Sequence, residues 1–166
     1  ADSPHTGAHV IFNINADASK TISMYPKIYA IADATVDRVD VYFPVKPAGK
    51  PTHYRYGIGL VIAERDGEPV IFHYSIEPFV NPGDKTFYEP FIHVKEGDRV
   101  SKGDIIANMY VSANVNVHIH FNLKWGKHFQ APSIFTESIV NEFYQRLNSE
   151  DDNGRNYDGV GHVSKI

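Results

Sequence analysis

Residues 117–123 read Val-His-Ile-His-Phe-Asn-Leu and alternate strictly between apolar and polar. On a β-strand successive side chains point to opposite faces, so His118, His120 and Asn122 share one face. Val117, Ile119, Phe121 and Leu123 share the other, which is suited to a core. The same period recurs upstream. The stretch KIYAIADATVDRVDVYFPV, residues 27–45, predicts two strands with a kink near Asp33 and Ala34. Residues 57–64 and 69–75 predict a hairpin turning on Asp66 and Gly67. Two Gly-Asp turns frame short strands between His93 and Met109. A short strand is expected over 11–15, after a bent lead-in that holds His5 and His9.

The period changes only near the C-terminus. Ile134, Phe135, Ile139, Val140, Phe143 and Leu147 recur at helical spacing behind a capping Ser133, which predicts one helix over 133–147. The segments 46–54, 76–90 and 124–132 read as turns and loops, the second of them long, with Pro78, Pro82 and Pro90 and the aromatic residues Phe79, Phe87 and Tyr88. The expected architecture is mainly β: an antiparallel sheet or sandwich with one C-terminal helix. Residues 1–148 form the expected domain, and the acidic, Gly- and Asn-rich residues 149–166 a loose tail.

Composition narrows the chemistry. The chain has 166 residues and a net charge of −4, so nothing electrostatic favours nucleic acid or an anionic membrane. No run is apolar enough to span a bilayer. Cysteine is absent, so a metal would have to use His, Asp or Glu. That gives weight to the nine histidines. Two on one strand face can reach a single site. His5 and His9 can converge in a bent segment, or be solvated at a frayed end. His53, His93, His128 and His162 read as solvated or packing residues, although His53 and His93 would be able to line a cleft.

Taken in order, these segments resemble the M23 family of zinc metallopeptidases, the lysostaphin- and LytM-like endopeptidases with the duplicated hybrid motif fold. The family opens on His-x-Gly-x-Asp, where this chain has His5-Thr6-Gly7-Ala8-His9. KIYAIADATVDRV, the Gly-rich hairpin ending in FHYS, VKEGDRVSKGDIIA and HIHFNL follow in the family's order. The Gly-Asp segment is shared with biotinyl, lipoyl and sugar-phosphotransferase domains; the ordered histidine motifs are more specific.

The resemblance implies one zinc ion held by His5, His9 and His120, with His73 and His118 serving the reaction. Beside the resemblance, Asn122, Tyr74 and Tyr54 are further candidates for substrate contact or for orienting the imidazoles. It further implies a secreted or periplasmic hydrolase of cell-wall peptide or glycan. His9 stands where the family has Asp, Asn122 where it has Glu, Ala34 where it has Gly, and Asn116-Val117 where it has Gly-Pro. A His₃ site remains competent for zinc and admits another borderline metal such as copper or nickel. Two alternatives stay open: a polysaccharide substrate, and a non-catalytic module that binds cell wall or regulates a partner. The oligomeric state is not specified.

Overall fold

The computed structural model describes residues 8–12, 21–45, 53–78, 86–111, 117–130, 135–139 and 141–142; for 8–12, 41–43 and 45 it describes the backbone alone. His5, His162 and the tail lie outside the described residues. The chain is mainly β and its strand pairs are antiparallel. One sheet runs in the order β1-β8-β5-β4-β3-β6, with β9 added to β8. Its strands are β1 (Ala8–Phe12), β3 (Ala34–Val45), β4 (His53–Arg65), β5 (Glu68–Glu77), β6 (Arg99–Val100), β8 (Val117–Trp125) and β9 (His128–Gln130). A second sheet pairs β2 (Lys27–Tyr29) with β7 (Ile105–Asn108).

The alternation explains the layering. Tyr56, Ile58 and Leu60 of β4, Phe72, Tyr74 and Ile76 of β5, and Val117 and Ile119 of β8 are all buried in one core. Ile28 of β2 and Ile106 of β7 join them from the small sheet. Each apolar residue lies two positions from the next, so a single face of each strand closes on the core. Tyr74 ties the two layers together: its hydroxyl donates to Tyr29 O at 2.9 Å and accepts from Ile31 N at 3.1 Å.

The β4–β5 hairpin turns where Asp-Gly stands. Asp66 and Gly67 both take positive φ, 54° and 76°. That is the requirement of a type I′ turn, whose twist matches the flanking strands. The kink expected near Asp33 is the break between β2 and β3.

Several boundaries differ from the sequence reading. The first strand is Ala8–Phe12 rather than 11–15, so His9 lies in a strand and not in a bent lead-in. Strand β4 begins at His53, inside the stretch read as a loop, and β5 runs on to Glu77 before Pro78 ends it. Strand β8 extends to Trp125 and turns back as β9, where a loop was expected. Helix is described at residues 137–139 and 141–142, near the C-terminus, with Phe135 packed on the core. The rest of the expected 133–147 helix lies outside the described residues. No described helix is long and apolar enough to cross a membrane.

Candidate metal centre

Strands β5 and β8 build the site by register. His118 pairs with Glu77, His120 with Ser75, and Asn122 with His73. Directly opposed residues in an antiparallel pair share a face. The polar face opposite the core therefore carries His73, Ser75 and Glu77 beside Asn122, His120 and His118. On the far side of β8, His9 of β1 pairs with His120. That backbone position is all that is described for His9.

Glu77, His118 and His120 converge. His120 Nε2 lies 2.7 Å from Glu77 Oε1, His118 Nε2 lies 3.7 Å from the same oxygen, and the two imidazole nitrogens stand 3.0 Å apart. Three electron-rich atoms this close need a proton or a cation between them. Donors placed tetrahedrally around zinc at its usual bond lengths stand about 3.3–3.4 Å apart. The three observed separations bracket that value, so the group can hold a metal ion. Glu77 and His120 are buried and His118 is half-buried.

The surroundings control charge. Burial alone would raise the Glu77 pKa. The hydrogen bond from His120 and the charge of Arg55, with His118 and His120, outweigh it and hold the carboxyl at about 2. Arg55 Nε lies against Oε1, and His53 Nε2 is 3.3 Å from Oε2. An ionised carboxylate offers about four lone-pair positions, so Arg55 does not exhaust it. Arg55 does oppose a cation at the shared oxygen. Burial lowers the His120 pKa, and Glu77 partly reverses the shift. The net effect favours neutral imidazole, the form that ligates metal.

His53 is thus not the solvated or packing residue that its loop-like surroundings predicted. It is 6% exposed and lies against the carboxylate at the centre of the site. Glu77 itself was absent from the sequence-based site. His93 has the packing role expected: its Nε2 is 2.5 Å from Asn108 Oδ1, and Asn108 in turn donates to Tyr25 O. His128 is exposed in β9.

Tyr74 and Tyr54 point away from this site. Tyr74 is buried on the core face, and Tyr54 packs against the same core. Asn122 does lie on the polar face, paired with His73. Of the aromatic residues in the segment read as a long loop, Phe79 lies outside the described residues. Tyr88 is fully buried, and Phe87 packs on Phe91 and Tyr110 with ring centroids 5.9 and 5.2 Å away.

His73 is buried and pairs with Asn122 rather than with a member of the trio. Burial first, then the charges of Lys124 and Arg38, lower its pKa from 6.5 to about 4. The unfolded chain therefore binds this proton first as pH falls. Stability is full above about pH 6.5 and declines toward pH 4, by roughly 3 kcal/mol from this group. His73→Gln, which does not titrate, is expected to flatten that part of the curve in denaturant titrations. An unchanged slope would refute the assignment.

A scan against protein-family models, a search of curated proteins and a search of solved structures each found no match to this chain.

Proposed function

We propose that this protein is a metal-dependent hydrolase of the M23 metallopeptidase kind, cleaving peptide bonds in cell-wall peptides outside the cytoplasm. The observation that carries the reading is the meeting of His118, His120 and Glu77 on one sheet face, with the backbone of His9 opposite His120. Two motifs far apart in the chain, each with a place in the family's active site, come side by side. Glu77 adds a point the family resemblance did not supply. The family's carboxylate on β1 is replaced here by His9, and β5 returns a carboxylate to His120 from the other side.

Zinc is the metal the resemblance implies, held by His120 together with Glu77 and His118 or with His5 and His9. Bound there, such a cation would supply Lewis acidity and make a water more acidic. The remaining work falls to the chain's own groups. Where His5 and His9 complete the donor set, His118 accepts a proton at Nε2 and returns it to the leaving amine; where His118 is itself a ligand, it does not take that part. His73, uncharged near neutral pH, donates its ring N–H to the carbonyl oxygen as negative charge grows there. Glu77 fixes the ring of His120.

The test is turnover. Protein loaded with zinc is expected to cleave peptidoglycan peptides or a Gly-rich peptide. His73→Ala should lower kcat by about 10²-fold or more at unchanged metal content. Metal binding with no turnover on any peptide would leave the non-catalytic alternative standing instead.

A further inference from the structure

The alternation of β4 brings a second group of side chains to the polar face. Tyr56, Ile58 and Leu60 face the core, so His53, Arg55, Gly57 and Gly59 face the other way. Tyr56 pairs with Ile76, which brings Arg55 abreast of Glu77, and Glu77 pairs with His118. Arg55, Glu77 and His118 therefore form one row across three strands, with the carboxylate in the middle. Its two oxygens are held differently. His53 Nε2 lies 3.3 Å from Oε2. Arg55 Nε lies against Oε1, the oxygen that His120 and His118 approach at 2.7 and 3.7 Å. The guanidinium thus meets the carboxylate on the oxygen that faces the imidazoles, and His53 takes the far one. Imidazoles must be neutral to ligate a metal, so Glu77 is the only donor of the trio with a charge to offer, and Arg55 already balances it.

We propose that Arg55 sets the affinity and selectivity of the metal centre: its guanidinium is a resident counter-cation, and a divalent ion takes Glu77 only against it. The inference rests on the proposed function in placing the ion at Glu77, His118 and His120. A cation bonded to Oε1 at about 2 Å lies within about 5 Å of a nitrogen that donates to the same oxygen. Between unit charges about 4–5 Å apart near a protein surface, the repulsion is worth a factor of roughly 10²–10³ in an equilibrium constant. Arg55 is half-buried, so solvent screens part of that, and about tenfold is the expected minimum. The same contact lets the chain fold without metal, because the buried carboxylate already has a partner. It also narrows the choice of ion. Calcium and magnesium depend on negative charge and oxygen donors and meet a site with no net charge, whereas zinc, copper and nickel gain from the imidazoles.

Competition with a chelator reads zinc affinity without any turnover. Arg55→Met is expected to bind zinc about tenfold or more tightly than the natural chain. Arg55→Gln keeps an N–H donor for the carboxylate and drops the charge. It should gain as well, and it carries the test if Arg55→Met does not fold without metal. Arg55→Lys keeps the charge and should stay close to the natural chain. Arg38→Met removes the same charge from β3, where Arg38 pairs with Asp40 and not with Glu77, and should leave the affinity unchanged. Zinc should also raise the Tm of Arg55→Met by more than that of the natural chain. Arg55→Met and Arg55→Gln no tighter than the natural chain overturn the inference; if zinc still binds, the metal reading survives with the ion on the β1 side of His120. Equal tightening by Arg55→Lys or by Arg38→Met overturns it too, because charge at that one position is the claim. If no variant binds zinc, the inference and the metal centre fail together. Tighter zinc with no cleavage of any peptide leaves the inference and removes the peptidase reading.

Discussion

Glu77→Ala is expected to cost about 3–5 kcal/mol of folding stability at neutral pH, the range found when one partner of a buried ion pair is removed. The Glu77 side chain is 4% exposed, and four basic side chains face it: Arg55, His53, His118 and His120. Deleting the carboxylate takes from the Arg55 guanidinium, itself 18% exposed, the buried negative charge that lies against it. The pH dependence has a definite sign. The folded pKa of about 2 is below the ordinary 4.5, so this group's contribution is present above about pH 4.5 and lost as pH falls toward 2. Urea denaturation of metal-free protein gives the loss directly. Glu77→Ala with Arg55→Met should recover part of it, because the second change removes the cation that faced the carboxylate. A loss under about 1 kcal/mol for Glu77→Ala would mean that the carboxylate is not the organising charge of this face.

The elements were legible where local chemistry is decisive. Strict alternation at 117–123 defined β8, Asp66-Gly67 defined the hairpin, and the Gly-Asp pairs marked turns at Gly97 and Gly103, whose φ values are 85° and 91°. Glu77 was hidden for a physical reason. It ends a strand just before Pro78, and a charged residue in a proline-rich stretch looks like loop. Its burial depends on partners from β4 and β8, which no local pattern reveals. A signal was nevertheless present. Phe72, Tyr74 and Ile76 alternate with His73, Ser75 and Glu77 without a break. The same parity assigns Tyr74 and Tyr54 to the apolar face, and His53 and Arg55 to the polar one. Reading the alternation two residues further at each strand end would have assembled most of the site. What no spacing rule supplies is the adjacency of β1, β8 and β5, a matter of sheet order.

His120→Ala is expected to lower metal affinity by more than about a hundredfold, since even changes to groups that merely orient a ligand cost about 10–100-fold. His120 is the one histidine common to both donor sets open to this chain: Glu77, His118 and His120, and His5, His9 and His120. Competition with a chelator measures the affinity, and thermal unfolding gives an independent reading. A metal that binds only the folded state adds about 2.7 kcal/mol at a hundred times its Kd. Zinc should therefore raise the Tm of the natural chain and leave that of His120→Ala unmoved. Two further variants separate the donor sets. If Glu77 is a ligand, Glu77→Gln loses zinc nearly as completely as His120→Ala, and His9→Ala retains it. If β1 supplies the ligands, the order reverses, and Glu77→Gln weakens binding only by the smaller factor due to a group that orients His120. Unimpaired zinc binding by His120→Ala would dissolve the metal centre, because neither set keeps three donors without it.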